Sequence, residues 1–177
     1  MRFCSQCGER LAASPPTRCE GCGRAFFVDA KPGAGAIVVD GEGRFLALRR
    51  AQGPGEGLWG VPGGFCDGEH PEVAAVREVV EETGLSVRLG PLVGVYADSY
   101  RSQGEVFPTL HVYYLATVDP GAVLRLAPAE VAEARWSPFG EPPGRWAFPH
   151  LPEVVKDAAV LAEERPVSRP GGLLPGP

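Results

Sequence analysis

Residues 63–85 read GGFCDGEHPEVAAVREVVEETGL, and this stretch decides the fold. Pro71 at a first helical position and Gly84 just past a last one bracket a helix over residues 71–83. At 3.6 residues per turn, Val73, Val76, Val80 and Thr83 share one stripe, the side expected to face a core. Glu78, Glu81 and Glu82, spaced i, i+3 and i+4, fall on the opposite side. Three carboxylates packed there repel one another. Two of them lie in the last turn, where the helix dipole also opposes negative charge. A solvated acidic face is one reading, but such a face is expected to carry Lys partners at i+4. Here Arg77, four residues before Glu81, is the cation available. The other reading is a site for a hard divalent cation, Mg2+ or Mn2+, whose charge turns the repulsion into attraction.

Working outward, residues 34–40 (AGAIVVD) and 44–49 (RFLALR) read as two strands joined at Gly41-Glu42-Gly43. Further strands are expected at 87–96, 109–118 and 134–137, the middle one rich in aromatic and β-branched residues. A second helix fits residues 150–164, with Val154, Ala158 and Leu161 on one stripe. Strands interleaved with two helices predict an α/β fold, a mixed sheet sandwiched between helices. Residues 166–177 are rich in Pro and Gly and are expected to be disordered.

The first 31 residues differ from the rest, holding four of the five cysteines. Cys4-x2-Cys7 and Cys19-x2-Cys22 each run into a glycine, Gly8 and Gly23. Each tight turn aims two thiolates at one point, so the two turns together supply the four sulfurs of a closed, structural Zn2+ site. Paired disulfides or unpaired thiols are the alternatives, and with no secretory signal visible disulfides are not expected. Residues 1–33 carry five cations and three anions, and Zn2+ with four thiolates adds −2, so this module is close to neutral. That weakens a nucleic-acid role and favours stability or dimerisation, which leaves a homodimer open. Cys66 stands alone and reads as a small packing residue rather than a nucleophile.

A net charge of −5 argues against a broad nucleic-acid surface. No apolar run approaches the roughly 20 residues of a membrane span. The expected compartment is the cytoplasm.

The 63–85 stretch also resembles the Nudix box, G-x5-E-x7-R-E-U-x-E-E-x-G-U with U a bulky aliphatic. Gly63, Glu69, Arg77, Glu78, Val79, Glu81, Glu82, Gly84 and Leu85 match it with no departure at a fixed position. The cysteine module ahead of it is similar to that of zinc-ribbon Nudix members, including the group related to NADH pyrophosphatases. GLWGVPGG before the box and EVAEARWSPF at residues 130–139 also look like family segments. The resemblance implies a zinc ribbon over 1–31, a Nudix α/β/α sandwich over 32–165 and hydrolysis of a nucleoside diphosphate linked to another group. It implies catalytic Mg2+ (or Mn2+) held by Glu78, Glu81, Glu82 and the Gly63 carbonyl, with Arg77 orienting Glu81 or Glu69. It further implies a general base either in the box or in a later loop, where Glu130 and Glu133 are the candidates.

Candidate substrate contacts are Phe65 and Tyr100, with Arg49 or Arg50 on phosphate. Tyr96 and Phe107 are further rings that either stack on a base or pack in the fold. The marker SQPWPFPxS of NADH pyrophosphatases is matched in part at residues 102–108, where Glu105 replaces the Trp. The proline typical of ADP-ribose hydrolases is absent at residues 100–102, so neither subgroup is assigned. Two other functions compete: a non-catalytic nucleotide-sensing regulator, and a hydrolase acting on nucleotide-capped RNA ends.

Overall fold

The computed structural model describes residues 2–102 and 104–164, so the expected disorder of 166–177 lies outside the described residues. The chain divides into two compact units, Met1–Ala30 and Lys31–Pro177. Lys31 opens a long strand of the second unit.

The first unit pairs β1 (Thr17–Arg18) with β2 (Ala25–Phe26). Its two Cys-x-x-Cys-Gly turns are built alike. The Cys4 N–H donates to Glu9 O at 2.7 Å and the Gly8 N–H to Cys4 O at 3.0 Å. Cys19 and Gly23 repeat this with Arg24 O at 2.9 Å and Cys19 O at 2.9 Å. Gly8 and Gly23 sit at φ 76° and 75°, which a side chain would strain. Leu11 and Phe26 bury Cys4 and Cys19 in a small core.

The second unit is organised around β3 (Lys31–Val39), whose run Ala34–Val39 is fully buried. Side chains alternate along a strand, so a strand covered on both faces needs a continuous apolar run. Ile37 and Val39 face one core, with Phe45, Trp59, Tyr113 and Leu115, under α2 (Leu151–Glu164). Ala36 and Val38 face the other, with Leu46, Leu48 and Val79 of α1 (Pro71–Thr83). The sheet runs β5 (Trp59–Gly60), β4 (Phe45–Arg50), β3, β8 (Glu105–Val118), β7 (Val87–Ser102). In addition, β6 (Gly63–Phe65) pairs with β3 and β9 (Val131–Ser137) with β4. Among the named strands of this sheet, β3 and β8 pair in parallel and the other pairs are antiparallel. The mixed sheet between helices is therefore as expected. Strands β7 and β8 run further than the sequence suggested, forming one long hairpin. Phe45 is fully buried beneath α2, so Phe45→Ala should cost about 3–5 kcal/mol of stability, read from chemical denaturation.

Helix α1 spans the expected residues. Pro71 opens it, and Gly84 closes it at φ 66° with its N–H on Val80 O at 2.8 Å. Its buried face is not the expected one. Val73 is 55% exposed and Val80 47% exposed, while Ala74, Ala75, Val79, Glu82 and Thr83 are buried. The small Ala74 and Ala75 pack with Cys66, Ala34 and Tyr114, so the helix seats on alanines rather than on its bulkiest valines. The acidic side is consequently drawn inward: Glu82 faces the protein rather than solvent. Helix α2 buries Val154 and Ala158 with Leu161 packed beside them, as the periodicity predicts. No helix among the described residues is long and apolar enough to cross a membrane.

Candidate active site

A cavity of about 300 Å³ opens where β6, the C-terminal half of α1 and the β7–β8 hairpin meet. Glu78, Glu82, Arg50, Phe65, Tyr100 and Glu130, each singled out from sequence, line it together with the Gly63 backbone. Arg49, Glu81, Glu69, Arg77 and Glu133 do not.

Strand alternation explains the division of the two arginines. Arg50 follows Leu48 to the cavity face, donates from Nε to Pro54 O at 2.8 Å and lies over the Phe148 ring at 5.3 Å. Arg49 points the other way and meets Glu133, its cross-strand neighbour, at 3.0 Å. Of the two late glutamates, then, Glu130 stands in the cavity wall and Glu133 is engaged outside it.

Arg77 is the hub of the carboxylate cluster. Its Nε donates to Glu69 Oε1 at 2.7 Å and its Nη2 to the Phe65 carbonyl at 3.0 Å. Its Nη1 donates to Glu78 Oε1 at 2.8 Å and to Glu81 Oε2 at 2.7 Å. The bond to Glu69, aided by those to Glu78 and Glu81, raises the guanidinium further above its ordinary range. Arg77 thereby orients both Glu69 and Glu81, the two alternatives, and ties α1 to β6. Glu81 remains 53% exposed on its outer side.

Glu82 is only 8% exposed and accepts from the Gly63 N–H at 3.1 Å. Burial pushes its carboxyl up to about 8, against the Gly63 hydrogen bond, with the charges of Glu78 and Glu130 adding to the rise. Glu78 is raised as well, by burial first, while Arg77 opposes the shift. A buried and a part-buried carboxylate that repel each other beside a backbone turn fit a hard divalent cation, which would stabilise their charged forms.

In the first unit, Cys4, Cys7, Cys19 and Cys22 are free thiols whose sulfurs all lie within 4.8 Å of one another. Cys4 to Cys22 and Cys7 to Cys19 are each 3.6 Å. Zn–S bonds of about 2.3 Å in a tetrahedron place sulfurs roughly 3.8 Å apart, so the cluster is compatible with one zinc. Cys66 is buried and its thiol is pushed up by burial, which suits a packing residue.

The cavity also uses residues not singled out from sequence: Asp98, Thr109, His111, Tyr113 and Phe148. His150 adjoins them, with Nδ1 2.5 Å from Asp98 Oδ2 and Nε2 2.9 Å from the Tyr113 hydroxyl. Asp98 is placed by the β7–β8 register, opposite Thr109. Phe148 is placed by Trp59, whose carbonyl accepts from the Ala147 N–H at 2.7 Å. One signal was present in β8: its polar and aromatic residues Phe107, Thr109, His111 and Tyr113 alternate with Val106, Pro108, Leu110 and Val112. That pattern marks a strand whose polar face looks into a cavity rather than into solvent.

Comparison with known proteins bears on the same region. The family model described as NUDIX domain matches residues 29–158. An ADP-ribose pyrophosphatase of Methanocaldococcus jannaschii is 41% identical over 71 residues, covering 37% of this chain and 42% of its own. The NAD-capped RNA hydrolase NudC of Haemophilus influenzae is 29% identical over 157 residues, covering 85% of this chain and 54% of its own. A crystal structure of a NUDIX hydrolase from Nitrosomonas europaea superposes with a TM-score of 0.68 at 26% identity, covering 93% of this chain and 92% of that one. The chain spans about half the length of the curated relatives it matches. The matched segment contains the whole carboxylate helix, its Arg77 hub and the sheet that carries them, and the chain belongs to the NUDIX domain family.

Proposed function

We propose that the chain is a divalent-cation-dependent pyrophosphohydrolase that cleaves the diphosphate of a nucleotide joined to a second group, as in ADP-ribose or NADH. The observation that carries this reading is the convergence of Glu78, Glu82, Arg50 and Glu130 on one cavity that also has an aromatic wall. Relatives named for ADP-ribose and for NAD-capped RNA support the same substrate class. Residues 1–30 form a zinc ribbon in this reading, and the hydrolase domain begins at Lys31.

Glu78, Glu81, Glu82 and the Gly63 carbonyl would hold Mg2+ or Mn2+. When bound, such an ion neutralises phosphate charge and lowers the pKa of water. The chain's own residues do the remainder. Arg77 holds Glu78 and Glu81 in place through Nη1. Arg50, steadied on Phe148 and Pro54 O, presents its remaining N–H groups to a phosphate oxygen. Glu130 takes a proton from the water that attacks phosphorus, and the bridging P–O bond breaks in line, releasing a nucleoside monophosphate and a phosphorylated second group. Phe65, Tyr100 and Phe148 form the aromatic wall of the same cavity.

Incubation with ADP-ribose, NADH, FAD, dinucleoside polyphosphates and oxidised dNTPs, each with Mg2+, tests the reading. Nucleoside monophosphate release from at least one diphosphate-linked compound is the expected result; inertness toward all of them would refute it. Glu130→Gln should lower kcat about 10²–10³-fold, whereas Glu133→Gln should leave kcat within about threefold of the parent. Equal loss in both variants would take the base role away from Glu130.

A further inference from the structure

The wall of the cavity formed by β7 and β8 carries polar groups that the proposed hydrolysis does not use. Thr109, His111 and Tyr113, every second residue of β8, line it. Thr109 is 2% exposed, and its Oγ1 has no hydrogen-bond partner among the described residues. A buried hydroxyl without a partner destabilises the folded chain, and Val would fill the same volume without it. The hydroxyl is thus free to pair with a polar group of a bound ligand.

His111 lines the same wall two residues further along β8. Its ring stacks on His150 at 5.0 Å between centroids and 16° between planes. Burial first, and then the neighbouring His150, holds it neutral, with its pKa down to about 4. A neutral imidazole has one nitrogen that donates and one that accepts. The platform beneath it is held on both sides: the Asp98 carboxylate accepts a hydrogen bond from the Nδ1–H of His150, and His150 Nε2 is hydrogen-bonded to the Tyr113 hydroxyl. The same cavity also supplies flat apolar surface. Tyr100 lies 5.4 Å from Phe65 and 6.2 Å from Phe148, centroid to centroid.

A flat face to stack on and a hydrogen-bonding edge beside it suit a planar heteroaromatic ring better than a sugar, whose puckered ring is not planar and is edged with hydroxyls. We infer that Thr109 and His111 read the edge of the substrate's nucleobase while Tyr100 stacks against its face, with Phe65, at 78° to the Tyr100 ring, and Phe148 closing the sides. Asp98 and His150 act as positioning residues, holding the ring on which His111 stacks. The inference rests on the reading of the chain as a nucleotide hydrolase and assigns the determinant of its base preference.

The four nucleoside 5′-monophosphates of adenine, guanine, cytosine and uracil test it, because they differ only in the base and contain no anhydride to cleave. Their dissociation constants with Mg2+ should differ at least tenfold between the tightest and the weakest in the parent protein. Thr109→Val should shrink that spread about tenfold, while the free variant melts at or above the parent temperature because a buried unpartnered hydroxyl is gone. Thr109→Ser should keep the spread. His111→Phe, which retains a ring to stack on His150 and removes both nitrogens, should also shrink it.

Equal binding of all four by the parent would overturn the inference. So would an unchanged spread in both Thr109→Val and His111→Phe. Uniform weakening of all four in Thr109→Val would overturn it too, since that outcome assigns the hydroxyl to the shared ribose phosphate. None of these outcomes touches the hydrolase reading, which stands or falls on release of product from the diphosphate-linked compounds.

Discussion

Glu82→Gln is expected to lower hydrolysis by about 10³-fold or more while leaving the protein folded. Glu82 is the most buried of the three helix carboxylates and lines the cavity, so in the proposed reaction its charge would face the diphosphate. Burial already disfavours that charge in the free protein, and Glu78 and Glu130 add to the cost. Gln keeps the shape and can still accept from the Gly63 N–H through its carbonyl oxygen. The variant should therefore melt at or slightly above the parent temperature without metal. Saturating Mg2+ should raise the melting temperature of the parent by mass action, and this rise should shrink in the variant. A packing role predicts the reverse pattern: a less stable variant, an unchanged response to Mg2+ and a modest loss of activity. Thermal melts with and without Mg2+, run beside the hydrolysis assay, separate the two.

Cys4→Ser is the second change with a large expected effect. Cys4 is buried with Cys19, Leu11 and Phe26, and that small core closes around the sulfurs. A unit of about 30 residues buries too little apolar surface to fold unaided, so a metal would supply most of its stability. Purified parent protein should contain about one zinc per chain. The variant should lose most of it, and amide exchange over residues 2–30 should rise toward unprotected rates. The compact unit beginning at Lys31 has its own core, so its melting should change little. Metal-free parent protein with thiols oxidised in pairs would overturn the zinc assignment.

The parts of the molecule that were legible in the sequence are those encoded by neighbours along the chain. Pro71, Gly84 and the spacing of Glu78, Glu81 and Glu82 delimited α1 because a helix is a local structure. The two Cys-x-x-Cys-Gly turns were equally local. The face of α1 was misread for a physical reason. Periodicity ranks positions by apolarity and favoured Val73 and Val80, whereas close seating on the sheet selects the small Ala74 and Ala75. The β7–β8 wall was missed because it depends on register. Asp98 meets Thr109, and Tyr96 meets His111, through a hairpin pairing that no short-range spacing encodes. That Arg50 rather than Arg49 lines the cavity likewise follows from strand alternation once β4 is paired with β9.

The most direct measurement of the central claim is the rate of nucleoside monophosphate release from ADP-ribose or NADH as Mg2+ is titrated from a chelated zero to saturation. The account predicts negligible release without the cation, a saturable rise of at least 10³-fold with it, and no comparable rise in Glu82→Gln. A parent protein that cleaves equally well in excess chelator, or a Glu82→Gln variant that follows the parent curve, would contradict it.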